Sequence, residues 1–78
     1  STALTSNNLG LAYMKLKEPA QALPFYIAAL EIYQAVAEPN IVKISDTLDN
    51  IIDVYNKLGD HQKVIDHALI LLEIYRKR

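Results

Sequence analysis

Apolar residues recur at spacings of three and four along four stretches of the chain, and no stretch alternates with period two over a useful length. The pattern predicts an all-α protein of four helices without strands. The first helix covers about residues 3–16, with Leu9, Ala12, Tyr13 and Leu16 as its core stripe. Lys17-Glu18-Pro19 breaks it, and Pro19 suits the first turn of a second helix, where its missing N–H is not needed. That helix runs to about Val36 and turns Ala22, Leu23, Tyr26, Ala29, Leu30 and Tyr33 inward; Pro24 inside it should bend it, because it removes the bond to the Ala20 carbonyl. Ala37-Glu38-Pro39-Asn40 is a longer connection, with Pro39 as the stop and Asn40 as the cap of a third helix. The third helix extends to about Leu58, with Leu48, Ile51, Ile52, Tyr55 and Leu58 inward. Gly59 is expected as its left-handed terminator and Asp60 as the cap of a fourth, about His61 to Lys77, which is apolar around most of its circumference.

The chain also repeats itself. Shifted by 42 residues, Ser1–Val36 matches Lys43–Arg78 at nine of 36 positions, among them Thr5/Thr47, Asn8/Asn50, Tyr13/Tyr55, Leu16/Leu58 and the run Leu30-Glu31-Ile32-Tyr33 against Leu72-Glu73-Ile74-Tyr75. Average composition would give roughly two by chance, so internal repetition is the strongest signal in the chain. Each unit is a pair of helices.

Leu9, Gly10, Tyr13, Ala22, Tyr26 and Ala29 stand at the spacing of the tetratricopeptide repeat consensus, and the chain resembles that family over essentially its whole length. Ser6 and Gln34 depart from it, standing where an aromatic and a proline are favoured. The 42-residue period, Asn7-Asn8-Leu9 and Ala22-Leu23-Pro24-Phe25-Tyr26 are similar to the kinesin-light-chain type. The resemblance implies one domain over 1–78, with repeats at about 1–37 and 40–78, forming an antiparallel four-helix fragment of an α-solenoid. It gives Gly10 a purpose: a missing side chain lets the paired helix come close, at a propensity cost of about 1 kcal/mol. In the second unit Ile52 replaces that small residue, Val64 and Leu71 replace alanines, and Ala68 replaces an aromatic, so this helix contact should be repacked. His61 is expected to pack at the turn.

In this family the first helix of each unit lines a concave groove. The resemblance therefore implies a peptide groove formed by Leu4, Asn7, Asn8, Leu11, Met14 and Lys15 in the first unit, and by Asp46, Asp49, Asn50, Asp53, Asn56 and Lys57 in the second. The spacings of three, four and seven put each set on one helix face. Asn8 and Asn50 are equivalent, as are Lys15 and Lys57. An asparagine amide both donates and accepts, so it can hold the backbone of an extended peptide; the competing reading is a solvated residue shared by descent. The three aspartates favour a ligand carrying Lys or Arg, or simply form a solvated acidic face that suits a helix start. Three carboxylates on one helix are not a coordination cage.

Composition narrows the remaining choices. The net charge of −1, with no basic run, gives no reason to expect nucleic acid. The longest apolar runs are too short to span a bilayer, so no membrane partner is expected. The chain has no cysteine, which fits an intracellular, cytoplasmic setting. No signal peptide is evident, and a start at Ser1 suits an excerpt or a processed chain. Neither the two histidines, which share no helix face, nor the serines Ser1, Ser6 and Ser45 form a catalytic signature, and no cofactor or metal is expected.

Two units without a capping helix should leave apolar surface on the fourth helix. Leu23, Ile27 and Leu30 are expected to be covered by the third helix, whereas their equivalents Ile65, Leu69 and Leu72 have no such cover in these two units, and Ile70 and Ile74 extend the patch. This face is a candidate for self-association or for a neighbouring repeat. The functional expectation is a non-catalytic module that binds a protein or peptide; the alternatives are a homo-oligomerising structural or engineered unit without a ligand, and the sensor or adaptor portion of a larger regulated enzyme.

Overall fold

A computed structural model describes residues 2–77; Ser1 and Arg78, the outermost positions of the repeat comparison, lie outside the described residues. Four helices follow one another: α1 (Ala3–Lys15), α2 (Pro19–Gln34), α3 (Ile41–Leu58) and α4 (His61–Arg76), with no strand among the described residues. Each helix packs on its predecessor, so the chain is a run of antiparallel neighbours. The Cα extents of 33 × 29 × 14 Å describe a thin slab, which explains why few side chains are enclosed on all sides.

Local chemistry sets the helix ends. Thr2 Oγ1, Asn40 Oδ1 and Asp60 Oδ1 accept from the backbone N–H groups of Thr5, Lys43 and Lys63 at 3.1–3.2 Å, the usual N-cap bond. Pro19 opens α2, and the helix is continuous through Pro24. The two turns within the hairpins are repeat equivalents and close alike: the Glu18 N–H donates to the Tyr13 carbonyl at 2.9 Å, and the Asp60 N–H to the Tyr55 carbonyl at 3.0 Å. Both bonds require a left-handed residue just before them. Gly59 supplies it at φ +74°, and in the first hairpin Lys17 does so at φ +61°.

The core lies between α2 and α3. Ala22 and Tyr26 pack with Ile51 and Val54, and Tyr13, Met14, Leu23, Leu30 and Tyr55 close around them. Burying side chains such as Ile51 and Leu48 is worth roughly 1.5–3 kcal/mol each. Gly10 is buried under the Tyr26 ring. Tyr13 stacks on Phe25, with centroids 5.5 Å apart, and the equivalent residues Tyr55 and His67 meet at 5.2 Å.

Several inward assignments need correction. Leu9 and Leu16 are 41% and 67% exposed, and Ala12 is exposed too. The fully buried positions of α1 are instead Ala3, Ser6 and Gly10, with the half-buried Tyr13 stacked on Phe25 of α2. The repeat explains the difference. Ile51 and Val54, the counterparts of Leu9 and Ala12, are 1% and 0% exposed because α2 precedes α3 and covers that side. No helix among the described residues stands in that position for α1. Leu58 is likewise exposed, while Ile44, Ser45, Thr47 and Val54 join Leu48 and Ile51 as buried positions of α3. On α2, Leu23 and Leu30 are half-buried but Ile27 stays exposed. His61 is exposed at its turn, and the histidine that packs is His67.

Candidate functional site

The residues turned away from the hairpin interiors form two parallel stripes. On α1, Leu4, Asn8, Leu11 and Lys15 are exposed, with Met14 half-buried at the edge. On α3, Asp46, Asp49, Asp53, Asn56 and Lys57 are exposed, and Asn50 is half-buried. Helical spacing keeps each set on one side of its helix, opposite or flanking the residues that pack against α2 and α4.

One hydrogen bond ties α1 to α3. Asn7 Nδ2 donates to Thr47 Oγ1 at 3.3 Å, and the Thr47 hydroxyl donates in turn to the Lys43 carbonyl at 2.9 Å. Asn7 is half-buried and Thr47 fully buried, so this chain of bonds lies between α1 and α3, away from solvent. Asn7 Oδ1 is itself buried without a partner among the described residues. The NH2 group of the Asn7 amide is thus engaged by the scaffold, whereas Asn8 is exposed to solvent. The sequence alone did not distinguish these two roles.

Electrostatics grade along the stripes. Asp46, Asp49 and Asp53 make α3 acidic, with Lys57 Nζ 3.8 Å from Asp53 Oδ1. That pair is exposed, and an exposed i, i+4 pair contributes only about 0.3–0.5 kcal/mol. Beyond it, Met14, Lys17, Pro19 and Lys57 line an open pocket of about 350 Å³ at the end of the stripes. Lys17 and Pro19, which belong to the turn, were absent from the sequence-based site. Burial, with a smaller contribution from the negative charge of Asp53, raises the Tyr26 hydroxyl above its ordinary pKa of 10.0. Among the described residues no group of three His, Asp or Glu side chains could hold a metal ion.

The apolar face of α4 is open as well. Ile65, Leu69, Ile70 and Leu72 are exposed, Ile74 is half-buried, and α4 contributes no fully buried residue.

The tetratricopeptide repeat family model matches residues 1–77. The chain belongs to the tetratricopeptide repeat family. No curated protein and no solved structure matches it. Repeats of this family generally mediate protein–protein interaction and are typically non-catalytic, and the four-helix all-α arrangement is that of a tetratricopeptide helical-repeat fragment. No helix among the described residues is long and apolar enough to cross a membrane.

Proposed function

We propose that this chain is a non-catalytic recognition module, a single domain of two repeats, that holds an extended peptide across the stripes of α1 and α3. The observation that carries the reading is the placement of Asn8 and Asn50. They are repeat equivalents, one exposed and one half-buried, on neighbouring helices tied by the Asn7–Thr47 bond. Asparagine in mid-helix has no propensity advantage, and two amides at equivalent positions offer paired donors and acceptors to a peptide backbone. Leu4 and Leu11 supply apolar contact beside Asn8, and Asp46, Asp49 and Asp53 favour Lys or Arg side chains on the ligand, chiefly through orientation and rate of encounter. Lys15 and Lys57 border the same stripes.

A peptide array with Lys/Arg-rich and Glu-rich series tests this. The wild-type chain should bind the basic series, and the Asn8→Ala/Asn50→Ala variant should lose most of that binding while keeping its helical content. Equal binding by both proteins, or no binding by either, would remove the support for the groove and favour a purely structural unit.

A further inference from the structure

The fold does not account for one of the two lysines on the open pocket. Met14, Lys17, Pro19 and Lys57 line this space of about 350 Å³ from the end of α1, the turn after it, the start of α2 and the end of α3. No carboxylate lines it. Lys57 stands in the last turn of α3, where a cation complements the helix dipole. Lys17 stands beyond α1 in a left-handed backbone at φ +61°, and its repeat equivalent is Gly59 at φ +74°. Glycine adopts that conformation freely and lysine only under strain, so the turn by itself favours glycine. What lysine adds is a cation on the pocket, with no ion-pair partner among the described residues.

Lys57 is loosely held as well. Its Nζ is 3.8 Å from Asp53 Oδ1, near the outer limit of an ion pair, and the two side chains are 62% and 56% exposed. We propose that Lys17 and Lys57 receive a carboxylate of the same peptide whose Lys or Arg side chains face Asp46, Asp49 and Asp53. This rests on the peptide reading of α1 and α3 and specifies its ligand further, as a peptide that carries both charges. Asp53 and Lys57 are one turn apart, about 6 Å along the axis, so such a ligand exchanges a weak internal pair for two external ones. A carboxylate suits the lining better than a phosphate. Its aliphatic stem can rest on Met14 and Pro19, and it brings a single negative charge, whereas a phosphate brings about −1.5 to −2 close to the Asp53 carboxylate.

Fluorescence anisotropy with labelled, end-blocked Lys/Arg-rich peptides tests this. One glutamate is walked along the peptide, each position with a glutamine and a phosphoserine twin, and one further peptide has a free C-terminal carboxylate. At one register glutamate should bind about three- to five-fold tighter than glutamine, and the gain should shrink with added salt. A gain seen only with the free C-terminus would assign the pocket to the terminal carboxylate. Lys17→Gly should abolish the gain while raising the thermal midpoint, a combination that a folding defect does not produce, and Lys57→Gln should abolish it too. Equal binding of glutamate and glutamine peptides at every register, with no gain from the free C-terminus, would overturn the proposal and leave the peptide reading standing. So would a gain that survives both lysine substitutions, or phosphoserine binding tighter than glutamate at the same register. Absence of binding by every peptide would overturn the peptide reading and this proposal with it.

Discussion

A methyl group at Gly10 would lie 2.6 Å from Cε1 and 2.8 Å from Cδ1 of Tyr26, closer than side-chain carbons approach one another in folded proteins. The ring cannot step aside, because Tyr26 is 1% exposed and packed against Ala22, Ile51 and Val54. The asparagine- and glycine-containing first helix is therefore shaped by its neighbour rather than by its own propensity.

Gly10→Ala gains about 1 kcal/mol of helix propensity and forfeits about 1–3 kcal/mol by overpacking. Alanine should lower stability by about 1 kcal/mol net, and leucine by more, about 3 kcal/mol. Chemical denaturation measures both; an unchanged midpoint for Gly10→Leu would contradict the packing account.

Lys17 occupies the left-handed conformation that Gly59 holds in the equivalent turn. That conformation costs an ordinary residue about 1–2 kcal/mol, partly offset by the greater unfolded-state freedom of glycine. Lys17→Gly should stabilise the chain by about 0.5–1 kcal/mol. Gly59→Ala should destabilise it for conformational reasons alone, since nothing lies within 4 Å of the added methyl. Thermal midpoints should move in opposite directions for the two variants.

The Ser45 hydroxyl is buried without a partner among the described residues, and its repeat equivalent is Ala3, also buried. Removing an unsatisfied buried hydroxyl relieves a desolvation cost of about 1–3 kcal/mol. Ser45→Ala should leave stability unchanged or raise it by up to about 1 kcal/mol, as read from urea midpoints, whereas a loss would show that the hydroxyl is engaged.

Burial, then Asp53, hold the Tyr26 hydroxyl in its neutral form above the ordinary value of 10.0. The folded pKa is raised, so the folded state keeps a proton that the unfolded state releases. This stabilisation is complete below pH 10.0 and is lost as pH rises through the folded value. Tyr26→Phe should flatten the alkaline fall in stability relative to wild type; identical slopes above pH 10.0 would show that Tyr26 does not contribute.

Much of the fold was legible because its punctuation is chemical. Pro19, Asn40, Gly59 and Asp60 each mark a helix end by a bond they make or cannot make. The direction faced by Leu9 and Leu16 was not legible. Helical spacing puts them on one side of α1 but does not say whether a helix lies there, and it was the comparison with the buried Ile51 and Val54 that identified the side. Lys17 gives no local sign of a left-handed backbone, although its correspondence with Gly59 contains that information. The same is true of Phe25 and His67, which stack on equivalent tyrosines. In the candidate site, the solvent-facing stripes follow from spacing, whereas the use of Asn7 as a tie to Thr47 depends on how α1 and α3 lie together.

The central claim, peptide recognition by α1 and α3, is tested most directly by an NMR titration of the labelled Leu72→Glu chain with a Lys/Arg-rich peptide. The charged variant removes the exposed apolar face of α4 as an alternative attachment point for the peptide. The account predicts that the side-chain amides of Asn8 and Asn50 and the backbone amides of Leu4, Leu11, Asp46 and Asp53 shift together and saturate. Shifts confined to α2 and α4, or none at all, would contradict it.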